Sequence, residues 1–182
     1  MRERLIEAGI AVLERDGLAG ATLRTIAREA GVSHGAPRRY FPTLAALLSA
    51  IASTGFDDLA RRVQPILASE NPATDQLLQI GHTYVAFALE RPAMFALMFR
   101  HDLLEGSGEG LRERTIPLFD AMTELFRGTG RDPRSRAVGY WTSLHGIATL
   151  AQNRSLELIR GRRDADDLIR QAFHAFGGRS QA

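Results

Sequence analysis

The chain has 182 residues, enough for one substantial core or two small domains, and its 45% hydrophobic and 24% charged content is that of a folded globular protein. It contains no cysteine, which excludes disulfides and thiolate metal sites, and it has no apolar run of membrane-spanning length. The formal charge is only +2 beside an isoelectric point near 9.6, because all 23 basic residues are arginine and little titrates between histidine and tyrosine.

Leu5, Ile6, Gly9, Ile10 and Leu13 recur at helical spacing and predict a first helix that stops at Gly17. Met1 leads straight into this amphipathic pattern rather than into the apolar core of a signal peptide, so the expectation is a cytoplasmic protein with no membrane contact. Thr22 is placed to cap a second helix, with Leu23, Ile26, Ala27 and Ala30 on its inner face and Gly31 at its end. Ser33 reads as the cap of a third, short helix. Pro42 and Thr43 then open a long one that reaches about Leu67, before the break at "ASENPA".

Ala73 to Glu90 and Pro92 to about Arg100 predict two further helices, and Glu105 to Gly110 a loop. Pro117 confines the next helix to Leu118–Phe126, since proline lacks the N–H that a helix interior needs. Asp132 and Pro133 form an N-cap and first-turn pair, and Gly161 stands where a C-terminal stop belongs. A single helix of roughly 28 residues, about 42 Å at 1.5 Å per residue, is expected between them. The last helix starts near Asp164 and turns Leu168, Ile169, Ala172, Phe173 and Phe176 inward before Gly177 and Gly178. No strand alternation and no repeat is present, so the fold class is all-α.

Charge is concentrated near the start. Between Thr22 and Phe41 stand Arg24, Arg28, Arg38 and Arg39 against Glu29 alone, an excess of three, so the remaining residues sum to −1. The same stretch has the parts of a helix-turn-helix. Two short helices that cross steeply need a small residue where they touch, a glycine able to take positive φ, and an apolar plug, and Ala27, Gly31 and Val32 occupy those places. His34, Gly35 and Ala36 follow, small enough at the glycine and alanine for backbone to approach a groove floor.

"TLRTIAREAGVSHGAPRRYFPTLAALL", after "RERLIEAGIAVLERDG", resembles the DNA-binding domain of the TetR family of transcriptional regulators over about residues 2–48. "YVAFALERPAMFALMF" and "YWTSLHG" resemble, more loosely, the ligand-binding half of a TetR subgroup with a Trp-x-x-x-His-Gly signature. The resemblance implies a helix-turn-helix domain over 1–45 and an effector-binding and dimerisation domain over 46–182. It further implies a homodimeric repressor that grips a palindromic double-stranded operator and releases it when a small molecule binds, without a cofactor.

The DNA-binding residues it implies are Thr22, Ser33, His34, Arg38, Arg39, Tyr40 and Thr43. Thr22, Tyr40 and Thr43 suit phosphate oxygens, whereas Arg38 and His34 suit base edges. The sequence also departs from the family pattern. Pro37 and Arg38 replace an apolar residue and a tyrosine, and Pro37 would sit at the fourth position of a Ser33-capped helix, where it cannot bond to the cap carbonyl. Leu44 replaces a common lysine, and no contribution from a basic arm ahead of the first helix is expected.

For the effector the candidates are Phe87, Met94, Met98, Phe99, Phe119, Met122, Trp141 and His145. Stripes of such residues at helical spacing are usually ordinary core, and a histidine on an apolar face is commonly a hydrogen-bonded structural residue. Trp141 and His145 share one face at i, i+4 spacing. His82, His101 and His174 show no metal-ligand spacing, so no metal is expected. The rival readings are a plain αα corner, a small all-α enzyme and a protein-interaction module. The enzyme lacks a serine elbow, a cysteine nucleophile and a suitably spaced carboxylate pair.

Overall fold

The computed structural model describes residues 1–104, 110–127, 132–160 and 165–177. Among them are ten α-helices and one 3-10 turn, with no strand. In chain order these are α1 (Arg2–Gly20), α2 (Leu23–Glu29), the 3-10 turn (Pro37–Arg39), α3 (Leu44–Leu67), α4 (Ala73–Glu90) and α5 (Pro92–Met98). There follow α6 (His101–Leu104), α7 (Leu111–Glu124), α8 (Pro133–Gln152), α9 (Ser155–Arg160) and α10 (Ala165–Phe176). The chain forms two compact units, one of Met1–Asp58 with Arg91–Arg114 and one of Leu59–Glu90 with Thr115–Ala182.

In the first unit α1 packs on α2 and α5 around Leu5, Val12, Leu13, Ile26, Ala27 and Ile51, all fully buried. Each large apolar side chain removed from water here contributes roughly 1.5–3 kcal/mol. The approach of α3 to α1 depends on Gly9, because the Ile51 side chain occupies the space where a Cβ would stand. In the second unit α8 packs on α4, and α10 on both. Gly81 on α4 makes that three-way contact possible: a Cβ there would lie 3.0 Å from Ile169 and 3.2 Å from Leu144, and against the Tyr140 hydroxyl. That hydroxyl donates to the Leu77 carbonyl at 2.8 Å.

The boundaries of α3, α4 and α8's start agree with the sequence reading, and other details differ. Gly17 kinks α1 with φ 70° and ψ −178° instead of ending it, and helix resumes to Gly20. On that helix Ala8 and Val12 are buried, while Ile10 is only half-buried. α7 starts at Leu111 and runs through Pro117, since a proline deletes one helical bond while the bonds on either side persist. Its end at Glu124 falls short of Phe126.

The long helix expected after Asp132 breaks at Asn153 and Arg154. Arg154 adopts φ 60°, and the Asn153 side chain accepts the Ser155 N–H at 3.0 Å, so a local bond starts α9 where the helical ladder would have continued. The stop assigned to Gly161, the loop over 105–109 and the role of Gly178 lie outside the described residues. On α10, Ile169 and Ala172 are buried, but Leu168, Phe173 and Phe176 are only half-buried.

Candidate nucleic-acid interface and aromatic cluster

The polar start of α2 is built by two threonines. Thr22 Oγ1 accepts the Thr25 N–H at 3.2 Å, Thr25 Oγ1 accepts the Thr22 N–H at 2.9 Å, and the Thr25 hydroxyl donates to the Gly20 carbonyl at 2.7 Å. The turn then follows from Gly31, whose φ of 64° lets the Val32 N–H return to the Ala27 carbonyl at 3.0 Å.

The helix expected from Ser33 is not formed. Ser33 begins a turn closed by the Ala36 N–H on its carbonyl at 3.0 Å, and a single 3-10 turn over Pro37–Arg39 comes next, with no side-chain cap. Pro37 is the cause: it has no N–H to continue the ladder to Ser33, so the segment is tightened into i to i+3 bonds. Pro37 and Phe41 are buried and anchor the segment, with the Arg2 guanidinium 5.1 Å from the Phe41 ring centre. Ser33, His34, Arg38, Arg39 and Tyr40 are all exposed around these anchors. Thr43 is exposed too, and its Oγ1 accepts the Ala46 N–H at 3.1 Å to cap α3.

The electrostatics of this tip are lopsided for a visible reason. Glu29, its single acid, is drawn to Arg15 of α1 at 3.0 Å, and Arg15 also holds Asp16 at 3.0 Å. The Arg15 hydrogen bond keeps the Asp16 carboxyl below its usual range. Arg24, Arg38 and Arg39 are exposed and have no carboxylate partner among the described residues. Two helix starts with polar hydroxyls and three uncompensated guanidinium groups therefore face outward, an arrangement suited to phosphates.

The candidate effector residues divide between the units. In the first, Met94 and Met98 press their sulfurs toward Gly55, at 2.8 and 2.7 Å from where a Cβ would lie, and Phe99 packs on Phe95 and Phe56 with ring centres 5.0 and 5.9 Å away. In the second, Phe87 and Met122 are buried, and the Arg62 guanidinium lies 5.2 Å from the Phe87 ring centre. Phe119, Trp141 and His145 come together: Trp141 meets Phe119 edge to face at 6.4 Å and His145 at 5.8 Å.

Sequence reading missed the fourth member, Tyr84, whose hydroxyl is 2.9 Å from His145 Nδ1. Only its place beside Ile80 and Phe87 on one helical stripe marked it. The hydroxyl also bonds to Trp141, whose indole N–H can only donate, so Tyr84 accepts there while sharing a hydrogen bond with His145 Nδ1. Burial lowers the pKa of His145, favouring the neutral ring. Burial also pushes the Tyr84 hydroxyl well above its ordinary value.

The model of the bacterial regulatory proteins of the tetR family matches residues 5–51, and that of the tetracyclin repressor-like C-terminal domain matches 77–176, more than half of the chain. The chain belongs to the TetR family. It is therefore a DNA-binding transcriptional regulator, of a family whose members bind operator DNA and small molecules and form dimers. The family is regulatory rather than enzymatic.

Over 126 residues the chain is 27% identical to the nucleoid occlusion factor SlmA of Marinobacter nauticus, a match that covers 69% of this chain and 64% of that relative's length. A structure of a protein with unknown function from Rhodococcus sp. RHA1 is 29% identical with a TM-score of 0.82, covering 99% of this chain and 95% of that one. The Bacillus subtilis transcriptional regulator FadR in complex with stearoyl-CoA shares the fold at 14% identity and TM-score 0.73, over 98% and 99% of the two chains. Among the described residues no helix is long and apolar enough to cross a membrane, and no group of three or more metal-ligating side chains occurs.

Proposed function

We propose that this TetR-family regulator acts in the cytoplasm as an effector-released repressor of a palindromic operator, with 1–45 as its DNA-binding domain and 46–182 as its effector and dimerisation domain. The observation that carries the DNA half is the exposed trio Arg24, Arg38 and Arg39 left without carboxylate partners beside the threonine-capped start of α2. Thr22, Tyr40 and Thr43 would take phosphates, Arg38 and His34 base edges, and Ser33 and Arg39 the flanking backbone. With a 3-10 turn in place of a recognition helix, Arg38 stands on a stiff, proline-anchored support.

The effector reading rests on the half-buried ring cluster of Phe119, Trp141 and His145 over Tyr84, the Trp-x-x-x-His-Gly segment included. Phe87 and Met122 belong to the same unit as this cluster, and an apolar or aromatic effector suits such residues, whereas Met94, Met98 and Phe99 pack within the other unit. Dimerisation would use α8 and α10. Val138 and Leu150 of α8 are 42% and 39% exposed, a Cβ at Gly146 would meet nothing, and Leu168, Phe173 and Phe176 of the α10 stripe are only half-buried.

Selection of bound duplexes from a random library by the full chain tests this reading. Enrichment of a palindrome, with a complex of two chains per duplex in light scattering, is the expected result. Recovery of sequences with no shared motif would sink it.

A further inference from the structure

Arg91 lies well outside residues 5–51 matched by the N-terminal family model, yet it belongs to the unit that contains the helix-turn-helix. It is the corner residue between α4 and α5, with φ −130° and ψ 61°, and its side chain does not cap α5. Its guanidinium spans two other helices instead. Nε donates to Glu14 Oε1 on α1 at 3.1 Å, and Nη1 donates to Asp58 Oδ2 on α3 at 3.0 Å. The three side chains are 24%, 31% and 17% exposed, whereas the nearby Arg15–Glu29 pair is 51% and 35% exposed. Shielded, two-pronged pairs of this kind are the ones that fix geometry, because screening is weak and the planar fork loses little freedom.

We propose that Arg91 is a positioning residue for DNA recognition: by bridging Glu14 and Asp58 it fixes α1 against α3, and with α1 the helix-turn-helix that packs on it. This rests on the DNA-binding reading given above. Glu14 stands three residues before Gly17, where α1 kinks, so the bridge secures the last straight turn of the helix. The next residue, Arg15, holds Glu29 at the end of α2 at 3.0 Å. A line of ion pairs thus runs from Arg91 through α1 to the helix that carries Arg24 and precedes Arg38 and Arg39. Reading a base edge requires those side chains in register, while general attraction to phosphate does not.

The test uses the full chain, a duplex selected from the random library, and an unselected duplex of equal length. Arg91→Lys keeps the charge, but a single ammonium cannot reproduce the two-pronged fork. Glu14→Gln breaks one arm and makes the chain more positive. Charge alone predicts no change for the first variant and tighter binding of both duplexes by the second. Positioning predicts that the preference for the selected duplex falls in both variants, by about 3- to 10-fold, and that the double variant falls no further than Arg91→Lys, since both changes break the same bridge.

Hydrogen exchange without DNA supplies a second readout. In Arg91→Lys, amides of residues 9–16 in α1 should exchange faster while those of 77–88 in α4 stay as they were. An unchanged preference in both single variants, additive losses in the double one, or exchange that rises equally in both segments overturns the proposal. If the wild-type chain itself does not distinguish the two duplexes, the DNA-binding reading fails, and the exchange pattern still decides whether the bridge fixes α1.

Discussion

Arg38 and Tyr40 stand two residues apart on one exposed segment, yet they should fail differently when changed. Tyr40→Phe removes a hydroxyl suited to phosphate, so anisotropy titrations should show selected and unselected duplexes weakened about equally. Arg38→Ala should cost roughly 1–3 kcal/mol on the selected duplex and less on the other. Equal losses would place Arg38 on phosphate. His145 gives a prediction in pH. Burial lowers its pKa from 6.5, so above that pH both folded and unfolded chains are neutral there. As pH falls from 6.5 toward the lowered value, the unfolded chain gains the proton first and stability is lost. His145→Gln should flatten the decline in melting temperature over that window. A decline as steep as in the wild type would show that other groups cause it.

Helix packing turns on two glycines with opposite surroundings. At Gly81 an added methyl would improve helix propensity by about 1 kcal/mol. It would also press on Tyr140, Ile169 and Leu144, and overpacking costs about 1–3 kcal/mol. Gly81→Ala should therefore lower stability in denaturant titrations, and a gain would mean that the contact between α4, α8 and α10 gives way easily. Gly146 faces open space within its own chain. Gly146→Leu should leave the fold of the protomer intact, with an unaltered circular dichroism spectrum, while shifting the dimer toward monomers in light scattering. A variant as dimeric as the wild type would move the interface off that face of α8.

For the molecule as a whole, binding should weaken steeply with salt, since each phosphate contact releases counterions. Effector and operator must also act on each other reciprocally: the factor that the effector takes from operator affinity, typically 5–150-fold, the operator takes from effector affinity. Trp141, the single tryptophan, offers the readout. Its indole contacts Phe119 and His145 and bonds to Tyr84, so a ligand entering that cluster has to change its emission. Titration of a candidate aromatic compound with and without saturating operator should give separated midpoints. Coincident midpoints would mean binding without regulation, and release of DNA with unaltered emission would place the effector away from Trp141.

The sequence alone determined what depends on neighbours along the chain: the all-α class, the Thr22 and Asp132 caps, the turn at Gly31, and the excess of arginine around it. These are read from hydroxyls, carboxylates and missing Cβ atoms within a few residues, where local chemistry suffices. Tertiary structure decided the rest. No local signal shows that Glu29 is claimed by Arg15, or that Arg91 reaches Glu14, 77 residues away. The same holds for Tyr84, which joins Trp141 and His145 only because α4 and α8 pack together. Burial, hydrogen-bond direction and charge pairing at these places are properties of surfaces brought together by folding, and the order of residues records them only after the chain has closed on itself.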